Sequence, residues 1–93
     1  MGLDEHERHA LKARAHNLKP VVLIGQKGLH AGVIEEIQSA LAHHELIKVR
    51  IPGGRDAMEP IISGIIAGTG AELIQRVGGI ATLYLKRPPT HQT

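Results

Sequence analysis

The run Val21-Val22-Leu23-Ile24 is held between Pro20 and Gly25, and that confinement constrains the fold more than any other stretch of the chain. Four apolar residues, mostly β-branched, are too few for a helix, so the segment is expected to be a buried strand. Beyond Gly25 the period changes. From about Ala31 to His43, the residues Val33, Ile34, Ile37, Ala40 and Leu41 recur at helical spacing, with Glu35, Glu36 and Gln38 on the other side. Strand, short glycine loop, helix follows as the local arrangement, with Gly25-Gln26-Lys27-Gly28 as the loop.

The rest of the chain falls into comparable pieces. Residues Asp4 to Leu18 read as a first helix with Leu11, Ala15 and Leu18 inward and Asp4, Glu5 and Glu7 in its first turn; Pro20 biases Lys19 out of helical geometry and ends it. Arg8, Lys12, His16 and Lys19 form a second, cationic stripe facing away from the apolar one, and Arg14 is expected to snorkel along the core edge. Leu46 to Ile51 alternates, with Ile47, Val49 and Ile51 on one face and Leu46, Lys48 and Arg50 on the other, so one sheet face should be partly open. Pro52-Gly53-Gly54 breaks the chain, and Asp56-x-x-Glu59 reads as a capping box for a third helix carrying Ile61, Ile62, Ile65 and Ile66, with Pro60 in its first turn. Gly68 and Gly70 punctuate its end. Glu72–Val77 and Ile80–Lys86 then flank Gly78-Gly79, the composition of a tight hairpin.

The order is α-β-α-β-α-β-β, of α/β (α+β) class: a compact mixed four-stranded sheet with helices. Each β-α-β step implies a right-handed crossover and a parallel pair, and the hairpin adds an antiparallel strand. At 93 residues the chain supports one domain, expected over residues 1–87 with a loose polar tail at 88–93. No apolar run approaches the roughly 20 residues that span a membrane. The acidic start lacks the features of a secretory signal, and zero cysteines exclude disulfides and thiolate chemistry; both fit a cytoplasmic protein. A monomer is expected.

Charge is segregated. Arg8 to Ile34 holds Arg8, Lys12, Arg14, Lys19 and Lys27 without an acid, whereas Glu35 to Glu72 holds six acids against Lys48, Arg50 and Arg55. A basic segment of this kind is either a solvated surface or a polyanion site. Gly25–Gly28 matches neither a Walker loop nor a dinucleotide loop, but a G-x-x-G turn of this size can clamp a nucleic-acid backbone; by itself it can equally be a plain turn. Seven histidines, including His6-x-x-His9, provide no third metal ligand at a fixed spacing, so no metal or cofactor is expected. Ser39 and Ser63 lie inside helical patterns without a nucleophile elbow, and no catalytic residue is expected. With Tyr84 as the one aromatic residue, stacking of bases on an aromatic platform is not available, so binding should rest on phosphates, sugar hydroxyls and shape.

Leu11-Lys12, Ala15-His16, Leu18-Lys19-Pro20, Ile24-Gly25-Gln26-Lys27-Gly28-Leu29, Glu45-Leu46-Ile47-Lys48-Val49, Thr69-Gly70-Ala71 and Leu83-Tyr84-Leu85 together resemble a stand-alone CRM domain (chloroplast RNA splicing and ribosome maturation) of the bacterial YhbY type. The likeness runs from Leu3 to Arg87. It implies a fold similar to the C-terminal domain of translation initiation factor three, RNA as the partner, and association with ribosomal RNA or precursors of the large ribosomal subunit. By position it implies an RNA-binding set of Gly25, Gln26, Lys27 and Gly28 with Arg8, Lys12 and Lys19, and Lys48 and Arg50 as a second tier. Two residues depart from the family pattern: His30 stands where threonine is frequent, which weakens the expected helix cap, and Arg14 where the position is commonly apolar. The alternatives are a ribosome-associated adaptor that works through protein contacts and a small-nucleotide-binding enzyme.

Overall fold

Asp4 starts the first helix with a reciprocal cap: its carboxylate accepts from the Glu7 backbone N–H at 2.7 Å, and the Glu7 side chain accepts from the Asp4 N–H at 3.2 Å. In the computed structural model, which describes residues 3–86, the elements follow the expected order: α1 (Glu5–Ala15), β1 (Pro20–Leu23), α2 (Ala31–His44), β2 (Leu46–Arg50), α3 (Gly54–Thr69), β3 (Glu72–Val77) and β4 (Ile80–Tyr84). The tail expected at 88–93 lies outside the described residues. α1 stops before its expected end at Leu18, because the His16 and Leu18 N–H groups reach back only three residues, to Ala13 and Ala15, and tighten the last turn. Leu18 is left exposed.

The sheet order is β1-β2-β4-β3. β1 and β2 are parallel, and β4 lies between β2 and β3, antiparallel to both. The second β-α-β step thus ends without the neighbouring parallel pair expected of it. β4, whose Ala81, Thr82 and Leu83 are buried, takes the central place that β3, with mostly half-buried residues, does not.

The two faces are closed differently. On one, Val22, Ile24, Ile47, Val49, Ile51, Ala81 and Leu83 pack against Val33, Ile37 and Leu41 of α2 and Met58, Ile62 and Ile65 of α3. On the other, Leu46 and Ile74 meet Leu11 and Ala15 of α1, with Tyr84 at the margin. β1 is an edge strand rather than the buried one expected: Val22 is 4% exposed, but Val21 is 49% and Leu23 63%. The four-residue run forms a strand as its length dictates, yet only one of its faces meets a helix layer.

α3 differs most from expectation. The chain enters it through Gly53 and Gly54 at φ 104° and 86°, values that favour glycine, so the helix begins before Asp56 and no side chain caps it. The capping box does not form; Asp56 lies in the first turn and Glu59 pairs with Arg76 of β3. Pro60 consequently falls past the first turn, where its missing N–H leaves the Asp56 carbonyl without an i+4 donor. Gly68 stays inside the helix, where a Cβ would sit 3.1 Å from Ile34 Cδ1 of α2, and Gly70 at φ 78° ends it.

Candidate nucleic-acid interface

Parallel β1 and β2 carry their C-terminal ends to the same side of the sheet, and the β3–β4 hairpin turns there too, since Arg50 pairs with Ile80 and the Ile51 N–H donates to the Gly79 carbonyl at 2.7 Å. The loop 25–28, the break 52–54 and the turn 78–79 therefore meet at one end of the molecule. The Ile24 N–H, 2.9 Å from the Arg50 carbonyl, seats the entrance of the first loop on β2. Within that loop the Gly28 N–H donates to the Gly25 carbonyl at 3.0 Å, and Gly28 has φ 73°. Gln26 and Lys27 are exposed at its tip, while Leu29 packs against the core and fixes the exit. His30 precedes α2 without a side-chain hydrogen bond to the helix, as its departure from the family threonine led us to expect.

Strand register arranges the face that carries α1 in rows. Leu23, Arg50, Ile80 and Val77 are cross-strand neighbours through all four strands, and Lys48, Thr82 and Gln75 form the next row. α1 covers Leu46 and Ile74 farther along; it leaves Leu23, Arg50 and Val77 exposed in the first of those rows and Lys48 and Gln75 half-buried in the second, with Thr82 buried between them. Lys12 and His9 border the open half beside Gln75, and His16 adjoins both Lys48 and Gln75. A band thus runs from Lys12 and His16 over Lys48 and Arg50 to the glycine loop, and none of the residues named in it is acidic. Its guanidinium and ammonium groups suit phosphate oxygens, and the open loop backbone lets a strand approach closely.

The expected residues separate into three groups. Gly25, Gln26, Lys27, Gly28, Lys12, Lys48 and Arg50 belong to this band, and Lys48 and Arg50, the second tier in the sequence, are its centre. Arg8 is not on an open cationic stripe. It is half-buried, and its Nη1 donates to the carbonyls of Leu73 at 2.8 Å and Ile74 at 3.3 Å, where an irregularity in the β3–β4 pairing disturbs the ladder. Its role in the fold is to tie α1 to β3. Lys19 lies before β1, at the opposite end of that strand from the loop, roughly 15–20 Å of extended chain away. It lines a separate hollow of about 380 Å³ with Arg14, Leu18, Val21 and His44.

Sequence reasoning missed Arg55, Arg76 and Gln75. Arg55 and Arg76 join Arg50 around a hollow of about 480 Å³ floored by Gly53, Gly54 and Gly79. Arg76 is engaged by Glu59, and its hydrogen bond and charge hold the Glu59 carboxyl below the usual glutamate value. No periodicity links these residues in the chain: the pairing of β3 beside β4 brings Gln75 and Arg76 near β2, and the break at 52–54 turns Arg55 back beside it. Among the described residues no group of three metal-ligating side chains occurs, and no helix is long and apolar enough to cross a membrane.

Residues 3–85 match the CRS1 / YhbY (CRM) domain. The chain is 45% identical over 83 residues to an RNA-binding protein of Haemophilus influenzae, across 88% of this chain and 84% of that protein. It is 35% identical over 89 residues to a probable RNA-binding protein of Pseudomonas aeruginosa, across 95% and 86% of the two chains. Its fold is similar to the solution structure of a hypothetical Staphylococcus aureus protein proposed to bind RNA, with a TM-score of 0.81 and 26% identity over 97% of this chain and 95% of the other.

Proposed function

The chain belongs to the CRS1 / YhbY (CRM) domain family, and from that premise we propose that it is a non-enzymatic cytoplasmic RNA-binding protein that docks ribosomal RNA, or a precursor of the large ribosomal subunit, and assists its assembly. The observation that carries the reading is the continuity of the band from Lys12 over Lys48 and Arg50 to the glycine loop. Lys27 at the loop tip contacts a phosphate. Gly25 lets the RNA backbone close on the loop, since a Cβ there would face open space within 4 Å. Lys12, Lys48 and Arg50 carry the phosphates that follow, and shape and 2′-hydroxyls supply the preference for RNA.

Salt titration tests the electrostatic core of this reading. If about four cations, Lys12, Lys27, Lys48 and Arg50, each engage one phosphate, log K falls with log salt at a slope of roughly −2.8 to −3.6. A salt-independent affinity removes the phosphate contacts. Gly25→Ala separates fold from function: nothing within 4 Å obstructs the new methyl in the free protein, so thermal stability should hold while RNA affinity drops. The exposed aliphatics Leu23 and Val77 favour one rival, the adaptor that reaches the ribosome through protein contacts. Failure to bind naked RNA, with co-sedimentation that survives nuclease, would decide for it.

A further inference from the structure

Between α1 and the open half of the sheet lies a hollow of about 210 Å³ lined by His16, Lys48, Gln75, Val77, Ile80 and Thr82. Its chemistry differs from that of the cationic rim. Lys48, Thr82 and Gln75 stand side by side across β2, β4 and β3, so an ammonium, a hydroxyl and a carboxamide share one row. Together they offer donors and acceptors at fixed positions on rigid strands. Val77 and Ile80, from the next row, add aliphatic surface, and the His16 imidazole comes from α1.

Thr82 is the informative member. It is 1% exposed at the centre of the sheet, where the neighbours Ala81 and Leu83 are apolar and fully buried. Valine would fill the same volume without a hydroxyl to satisfy. No side-chain hydrogen bond among the described residues involves Thr82, yet no sealed-off polar side-chain atom there lacks a partner. Thr82 lies in the lining of the hollow, beside Lys48 and Gln75.

Size narrows the occupant. Pockets for drug-sized ligands run to about 300–1,000 Å³, so this one suits a single ring system rather than a whole nucleotide. Charge narrows it further, because Lys12 and Arg50 flank the hollow and attract a phosphodiester on either side. We propose that the hollow receives one unpaired nucleobase of the bound RNA. The ring lies against Val77, Ile80 and the His16 imidazole, the hydrogen-bonding edge meets Gln75, Thr82 and Lys48, and the adjoining phosphates rest on Lys12 and Arg50. This rests on the RNA-binding reading above and adds the form of the RNA: a strand with a base out of its stack, held against aliphatic side chains and one imidazole and read on its polar edge.

Affinities for a fully paired hairpin RNA and for the same hairpin with one bulged nucleotide, made with each of the four bases, test the assignment. The wild-type chain should bind at least one bulged hairpin about 5- to 150-fold more tightly than the paired one, the range that good base contacts give. Thr82→Val and Gln75→Leu should each bring that ratio close to one while leaving the paired hairpin's affinity nearly unchanged, with circular dichroism and urea midpoints checking the fold. Gln75 is half-exposed, so its variant carries the test even if Thr82→Val folds poorly. Lys27→Ala should weaken both RNAs by the same factor. A wild-type ratio near one, or a ratio that survives both hollow variants, overturns the base site but leaves RNA binding standing. Binding of neither hairpin overturns both.

Discussion

The two faces of this sheet are built to different standards. Against α2 and α3, the residues Ile24, Ile37, Leu41, Ile47, Val49, Ile51, Met58, Ile65 and Leu83 are all 1% exposed or less. The opposite face has only α1, an 11-residue helix about 16 Å long, and one helix of ordinary width covers no more than half of a four-stranded sheet. What it leaves open holds Leu23 and Val77, each 63% exposed, beside Lys48 and Arg50. The first face supplies the larger share of the buried core. The second keeps apolar and cationic surface that folding alone does not require, which is the expected mark of a surface kept for a partner.

Stability measurements can break that contrast directly. Ile47→Ala, on the closed face, should cost about 2–5 kcal/mol in urea unfolding, because it leaves a cavity between two helices and the sheet. For a domain of this size that is a large share of the total. Leu23→Ser, on the open face, should change the unfolding free energy by no more than about 0.5 kcal/mol. Equal losses from the two substitutions would mean that Leu23 contributes to the core despite its exposure.

The next contrast lies within the α1 face, between an arginine engaged by the backbone of β3 and one that the proposed function assigns to RNA. Arg8 donates to two backbone carbonyls of β3, and hydrogen bonds to a charged group contribute about 1.5–3 kcal/mol. Arg8→Ala should therefore lower the urea midpoint while leaving the salt slope of RNA binding as it was. Arg50→Ala should do the reverse, keeping the midpoint and making the slope shallower by roughly 0.7–0.9. Lys19→Ala, at the far end of β1, should alter the slope less than Arg50→Ala. A larger effect at Lys19 would place the RNA path over Arg14 and His44 instead.

These contrasts also mark how far the sequence could be read. Element order, the glycine loop and the polar alternation of β2 were legible, because proline and glycine positions and two-residue periodicity act locally. The roles of Arg8 and Lys19 were not. Helical spacing places them on one stripe with Lys12, but the carbonyls that capture Arg8 belong to residues more than sixty positions away. The early exit of the chain from α1 then separates Lys19 from that stripe. The capping-box pattern at Asp56 misled for a related reason: Gly53 and Gly54 let the helix start earlier, and Glu59 found a partner on β3. Gln75 and Thr82 could not be singled out at all, since only the insertion of β4 between β2 and β3 aligns them with Lys48.

The smallest expected effect concerns Glu59 and Arg76, on the rim of the closed face. The Arg76 hydrogen bond and charge lower the Glu59 pKa from its ordinary 4.5, with a weaker contribution from Arg55. Between the ordinary value and the lowered one, the unfolded chain binds the proton and the folded chain does not, so stability in that window rises with pH. The contribution is complete above the unfolded value and is lost as pH falls through the folded value. The thermal midpoint of Glu59→Gln should therefore lie slightly below that of the wild type at pH 6, with the gap shrinking as pH falls below 4.5. Because Glu59 is exposed, added salt should narrow the gap at pH 6. A gap of the same size at every pH down through the carboxylate range would show that Glu59 acts by packing and not by charge. RNA affinity at neutral pH should respond in the opposite sense: freeing Arg76 beside Arg50 and Arg55 should strengthen binding slightly if the RNA path extends past the hairpin turn, and leave it unchanged if the path ends at Arg50.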